Sequence, residues 1–230
     1  MKRKRKPRRS LARRLLGWAF TTALALYALA VLGLLYLRWL PPLITMVQVQ
    51  RLAESAWNGN TPSRDYRYAS LAAISDHLEH AVVAAEDARF YQHNGIDFEA
   101  IEQSARGNRR HKPFSRGGST ISQQLIKNLF FTTHRLVLRK LLEVPLTWTA
   151  EMILPKRRIL ELYLNVAEWG PGVFGAEAAA QHHYGVSAAR LNREQAARLA
   201  ACLPAPRVRK PQAMNRYGAT ILRRMTQMGH

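Results

Sequence analysis

Leu15 to Leu37 is a run of 23 residues without a charge, and it stands directly behind nine lysines and arginines in residues 1–14. As a helix it would be about 35 Å long, enough for a hydrocarbon core of roughly 30 Å. It exceeds the apolar stretch of about 7–15 residues in a signal peptide. Trp18, Tyr36 and Trp39 sit near its ends, as interfacial aromatics do. A buried core helix is the alternative, but nine cations would then abut it. Only Arg38 follows closely, so the positive-inside rule puts residues 1–14 in the cytoplasm and everything after about Trp39 outside. The net charge of +20 would by itself admit nucleic-acid binding. Beside a spanning helix, topology and anionic headgroups account for the basic tail, and no nucleic-acid partner is expected. Cys202 is the only cysteine, so an intrachain disulfide is excluded, and no metal spacing of Cys and His occurs.

The chain divides into a basic tail (1–14), a transmembrane helix (15–37), a connector (38–70) and one domain (71–230). Pro41-Pro42 stops the apolar helix. Ser75 is a candidate N-cap, and Leu78, Val82 and Ala85 follow at helical spacing, predicting a helix over 76–88 with Glu86 and Asp87 in its last turn. Asn94-Gly95 is a turn, and Phe98 and Ile101 mark a short second helix. Residues 107–118 are basic and irregular and read as a loop. Thr120-Ile121-Ser122-Gln123 fits a capping box, which starts a helix near Ile121. A helix from about Leu136 to Leu154 contains Pro145, which predicts an interruption and a kink just past Glu143. Pro155 opens a helix over Lys156–Asn165. Gly170, Gly172 and Gly175 make a loop, Gly185 closes a helix over Ala176–Tyr184, Asn192 caps another that Pro204 ends, and Met214–Met228 is the last. No long strand is predicted. The fold class is all-α, with eight or nine helices.

The segment from Glu86 to Glu143 concentrates the chemistry. A Gly-Gly-Ser turn opening a helix can offer free backbone amides to a phosphate. Gln123 and Lys127 are four apart, and Gln124 and Lys127 three apart, so the three can share a face. Arg135 and Arg139 are also four apart and could join Lys127 around a diphosphate. Solvated charges on a surface helix are the plain alternative, and the P-loop spacing is absent. Glu143 lies in the apolar Leu141–Pro145 context, where a carboxylate needs a partner: Arg139 as an ion pair, or a ligand. Two carboxylates around a sugar are the usual equipment of glycosyl chemistry, in hydrolysis or transfer.

Five segments in order resemble the motifs of the peptidoglycan glycosyltransferases, glycosyltransferase family 51. Glu86–Asp97 resembles E-D-x-x-F-x-x-H-x-G-x-D, and Gly117–Phe130 resembles G-G-S-T-I-T/S-Q-Q-x-x-K-N. Arg139–Glu143 is similar to R-K-x-x-E, Lys156–Asn165 to K-x-x-I-L-E-x-Y-L-N, and Ala200–Pro206 to A-x-L-P-x-P. The match spans roughly residues 75–211 and is closest to the monofunctional form, because S-x-x-K and K-T-G of a transpeptidase domain are lacking. Many members carry Lys where this chain has Leu142, and Pro145 is unusual in that helix.

The resemblance implies a lysozyme-like two-lobed α fold, with a smaller, partly apolar lobe dipping into the membrane. It implies lipid II and the growing glycan chain as substrates, membrane lipid as surroundings, the cell inner membrane as location with the domain periplasmic, and room for other cell-wall synthesis proteins as partners. Glu86 would be the base that deprotonates the acceptor 4-hydroxyl. Lys127 and Arg135 would hold the donor diphosphate, and Glu143 would assist directly or through a divalent cation such as Mg or Mn. Ser119, Gln123, Gln124, Arg89 and Arg139 would line the site, while Glu161, Tyr163 and Asn165 look like packing and helix-end residues. Two rivals remain open: a lytic enzyme of the same fold, and a silent membrane-anchored scaffold.

Overall fold

The structure, a computed structural model, describes residues 11–61, 63–102, 118–134 and 137–230. Helix α1, Leu11–Leu37, is exposed along most of its length, as an apolar helix meant for lipid would be. Its last turns are different: Ala30, Leu34 and Leu37 are buried in the main core. Polar contacts fix this end as well. Tyr27 Oη lies 2.7 Å from Thr149 Oγ1, and Arg158 donates to the Leu37 and Leu40 carbonyls at 2.8 and 2.7 Å. Arg158 thereby satisfies carbonyls that the end of a helix leaves without intrahelical donors.

The stretch expected to be a connector contains a helix, α2, Met46–Trp57, started by a complete capping box between Thr45 and Gln48. It is tied to the domain by Gln50 to Thr133 and by Arg51 to Glu168, at 2.9 and 3.0 Å. Helix α3, Asp76–Glu86, begins after Ser75 with acids Asp76 and Glu79 in its first turn, which suits the helix dipole. The Ser75 hydroxyl does not cap it and instead donates to the Leu191 carbonyl at 2.8 Å. Helix α4, Ile121–Phe130, has the capping box read from Thr120 and Gln123. Helix α5, Val137–Ile153, passes through Pro145 without ending, contrary to the expected interruption. Thr147 and Thr149 donate to the Glu143 and Pro145 carbonyls at 2.7 and 3.0 Å, so side-chain hydroxyls serve carbonyls around the lost backbone bond.

Helices α6 (Lys156–Val166), α7 (Ala176–Tyr184), α8 (Arg193–Ala200) and α9 (Asn215–Gln227) complete the chain, with Gly185 left-handed after α7 and Asn192 capping α8. The glycine loop after α6 holds a small sheet: β2 (Glu168–Gly170) pairs antiparallel with β3 (Val173–Phe174), which pairs parallel with β1 (Asp65–Tyr66). Such two- and three-residue strands carry too little alternation to be legible in sequence. Gly175 is needed at the turn into α7. Its φ is +89°, and a Cβ there would meet the Asn165 carbonyl oxygen at 2.9 Å.

Two helix groups result. In one, α3 packs on α8 and α9; in the other, α4 packs on α5 and α6, with α1 and α2 outside. Asn165 holds the segment before α3 onto α6. Its Oδ1 accepts from Ala69 N at 2.9 Å, and its Nδ2 donates to the Ala69 and Glu161 carbonyls, each at 2.8 Å. Asn165 and Glu161 thus have the structural role expected of them. Asn165→Ala should lower unfolding stability by about 2–4 kcal/mol, because the buried peptide groups at Ala69 would lose their partners. Denaturant or thermal unfolding measures this.

Candidate active site

The end of α3 faces the outer side of α4 where the two helix groups meet. Glu86 is the last residue of α3, and its Oε2 accepts from Gln124 Nε2 at 2.7 Å. Glu86 keeps some exposure, yet protein surrounds most of it, and burial raises its pKa above the ordinary carboxylate value. The Gln124 hydrogen bond, Lys127 and Arg209 act against that rise, and Asp87 adds to it.

Asp87 is buried and is no solvated neighbour of Glu86. Its carboxylate accepts from Ile121 N at 3.0 Å and lies 3.0 Å from His93 Nε2. It therefore caps α4 from another part of the chain and sets that helix against Glu86, with an acid at the positive dipole end. Asp87, His93 and Asp97 gather ligand-type atoms within 4.8 Å of one another. Their oxygens are already engaged: Asp97 accepts from Ala100 N at 2.9 Å and has Arg89 Nε 3.9 Å away. The cluster is a structural brace. Gly95 lets its loop approach α5, since a Cβ there, at φ +87°, would come 2.9 Å from Thr147 Cγ2.

These contacts revise two expectations. Two amides at the start of α4 are not free for phosphate: Ile121 N goes to Asp87, and Gln123 N goes to Thr120 Oγ1 at 3.2 Å. Nor do both glutamines share the face of Lys127. Gln123 is buried, and its Oε1 accepts from Thr120 N at 3.2 Å, so the capping box removes it from the cleft. Gln124 and Lys127 are the polar groups of that face.

Lys127 forms no ion pair among the described residues. Burial lowers its pKa, and Arg139 adds to the lowering; Glu143 and Glu86 oppose it, and Lys140 lowers it further. Lys127 thus lies in the electrostatic reach of both carboxylates. Glu143, 2% exposed, pairs with Arg139 Nη1 at 2.9 Å and with Lys140 Nζ at 3.4 Å. Leu142 points outward and takes no part. Lys140 also donates to Ser119 Oγ at 3.1 Å while staying 44% exposed on its side chain. Arg139 Nη1 donates to the Thr132 carbonyl at 3.2 Å. Arg89 is held by Glu99, with Nη2 to Oε1 at 2.9 Å, and does not reach freely into the cleft. Arg135 and the basic loop at 107–117 lie outside the described residues.

Glu143 was expected to assist directly or through a divalent cation. Two cations already flank it, and the described acids and histidines that gather with metal-site spacing are Asp87, His93 and Asp97, which do not include it. Glu143 fixes Arg139 and Lys140, both of which act electrostatically on Lys127. Lys140, Tyr163 and Arg209 were missed as site residues. Lys140 was legible from its spacing of three to Glu143. Arg209 and Tyr163 reach Glu86 or its partner only through tertiary structure, and no sequence periodicity signals that.

A family model described as Transglycosylase matches residues 54–227. The chain is 48% identical over 226 residues to a biosynthetic peptidoglycan transglycosylase of Ectopseudomonas mendocina (strain ymp), covering 96% of this chain and 91% of the relative. It is 43% identical over 230 residues to one from Bordetella pertussis, covering 92% and 95%. It is 47% identical over 221 residues to one from Pseudomonas fluorescens (strain SBW25), covering 94% and 92%.

Proposed function

The chain belongs to the transglycosylase family, and on that premise we propose that it polymerises cell-wall glycan from lipid II with Glu86 as the general base. The acceptor 4-hydroxyl gives its proton to Glu86 as its oxygen attacks the anomeric carbon of the donor N-acetylmuramic acid. The bond from that carbon to the diphosphate breaks, a β-1,4 bond forms with inversion, and undecaprenyl diphosphate leaves. Lys127, with Arg139 and Lys140 held by Glu143, takes up the charge that develops on the leaving diphosphate. The proton on Glu86 returns to solvent when the site opens.

One observation carries this reading: Glu86, held by Gln124 at 2.7 Å, has within its electrostatic reach the half-buried Lys127, which forms no ion pair among the described residues. A lytic enzyme would have no diphosphate to neutralise and no use for that lysine. Incubating the purified protein with labelled lipid II tests it. Polymer is expected; sugar fragments from a glycan strand would favour lysis, and no product a scaffold.

The single apolar helix α1 among the described residues suits a single-pass anchor, and α5, which packs on it, exposes Leu141, Leu142, Trp148 and Met152. We place the anchor in the inner membrane, with the N-terminus cytoplasmic and the domain on the external side, where lipid-linked substrate can enter from the bilayer. Periplasmic reporter fusions after Leu40 should be active and cytoplasmic ones silent; the reverse pattern would invert the topology.

A further inference from the structure

Tyr163 is 1% exposed in the middle of α6, yet its hydroxyl is not left without work. It donates to Gln124 Oε1 at 3.1 Å, its one hydrogen bond among the described residues. The other end of the same amide, Nε2, donates to Glu86 Oε2 at 2.7 Å. An amide has an accepting end and a donating end, and something must decide which end meets Glu86. A flipped Gln124 would turn its oxygen toward the carboxylate and leave the buried Tyr163 proton without an acceptor. Both consequences are unfavourable.

We propose that Tyr163 is a positioning residue, whose hydroxyl, acting through the Gln124 amide, keeps the Glu86 carboxylate oriented and ionised for taking the acceptor proton. This rests on Glu86 being the base. Burial raises the Tyr163 pKa well above its ordinary value, so the phenol stays a donor throughout the working range. The other groups facing Glu86 are Asp87 beside it, Lys127 from α4 and Arg209 from the segment after α8. Arg224 of α9 donates to the Ala84 carbonyl nearby at 3.4 Å. None of these is hydrogen-bonded to the Tyr163 hydroxyl, so its removal isolates the amide's orientation.

The sign follows from the hydrogen bond. A donor to a carboxylate favours the ionised form, so losing its fixed orientation moves the Glu86 pKa upward. The test uses the full-length protein in detergent and compares parent and Tyr163→Phe. Two quantities are read: the pH dependence of lipid II polymerisation, and the titration of the Glu86 carboxyl ¹³C signal, assigned by its loss in Glu86→Gln. Tyr163→Phe should move the carboxyl midpoint and the acidic limb of the rate profile up by about 0.5–1 pH unit. The turnover rate should fall at neutral pH with KM little changed. Gln124→Leu should shift the midpoint at least as far, and the double variant no further than Gln124→Leu alone. An unmoved midpoint in a folded Tyr163→Phe protein overturns the proposal. Should that variant not fold, an unmoved midpoint in Gln124→Leu overturns it instead. A Glu86→Gln enzyme that still polymerises would remove the base assignment while leaving the titration result standing, so the two failures are distinguishable.

Discussion

Glu86→Gln should fold as well as the parent, bind lipid II nearly as tightly, and polymerise almost none of it. A positioned general base contributes about 10²–10⁴-fold, or about 3–5.5 kcal/mol of barrier. Gln matches Glu in size but cannot accept the proton. Stability should move the other way, if it moves. The folded-state pKa of Glu86 is raised by burial. Between the unfolded and folded values the native state therefore holds the extra proton, and stability declines as pH rises through that interval. Above it the buried charge is a standing cost, which Gln removes. At neutral pH the variant should unfold at the parent temperature or above it while activity is lost. Retained polymerisation at a tenth of the parent rate would remove Glu86 from the role of base. A lytic enzyme would differ in another way: Glu86→Gln would stop glycan cleavage by a parent that never made polymer.

Local features of the fold were legible where they are closed within a few residues. Thr120 and Gln123 start α4, Gly185 ends α7, and Asn192 starts α8, each through contacts spanning one turn. The pairing of Arg139 with Glu143 is likewise one turn long and was anticipated. The capping box at Thr45 and Gln48 was equally readable, but its proline-flanked surroundings read as a connector, and α2 was missed. What could not be read is what one segment does for another. Asp87 spends its carboxylate on Ile121 N, 34 residues away, so that amide at the helix start is occupied. Tyr163 meets Gln124 across 39 residues, which turns an apparent packing residue into a partner of the site. Gln123 was assigned both to the capping box and to the cleft; one amide cannot do both, and the local cap prevails.

Lys127→Met should lower lipid II turnover by about 10²–10³-fold, the scale at which preorganised charge at a developing anion contributes. It should do so without destabilising the fold. The lysine is half-buried, and burial together with the like charges of Arg139 and Lys140 lowers its pKa. Over the interval from the lowered folded value to the unfolded one, the native state binds fewer protons than the unfolded state. Stability therefore rises as pH rises through that interval, and at neutral pH the charged lysine detracts from it. Methionine keeps the stem and removes the charge, so the melting temperature should hold or increase. Glu143 and Glu86 partly offset the like-charge repulsion, which limits the gain. Loss of the nearby cation also raises the Glu86 pKa, so the acidic limb of the rate profile should move upward as turnover falls. Lys127→Arg separates charge from geometry: it keeps that limb near its parent position, but a bulkier guanidinium among neighbouring cations should recover only part of the rate. A folded Lys127→Met protein with parent turnover would place the diphosphate elsewhere, with Lys140 the next cation to test because it is exposed and already held by Glu143.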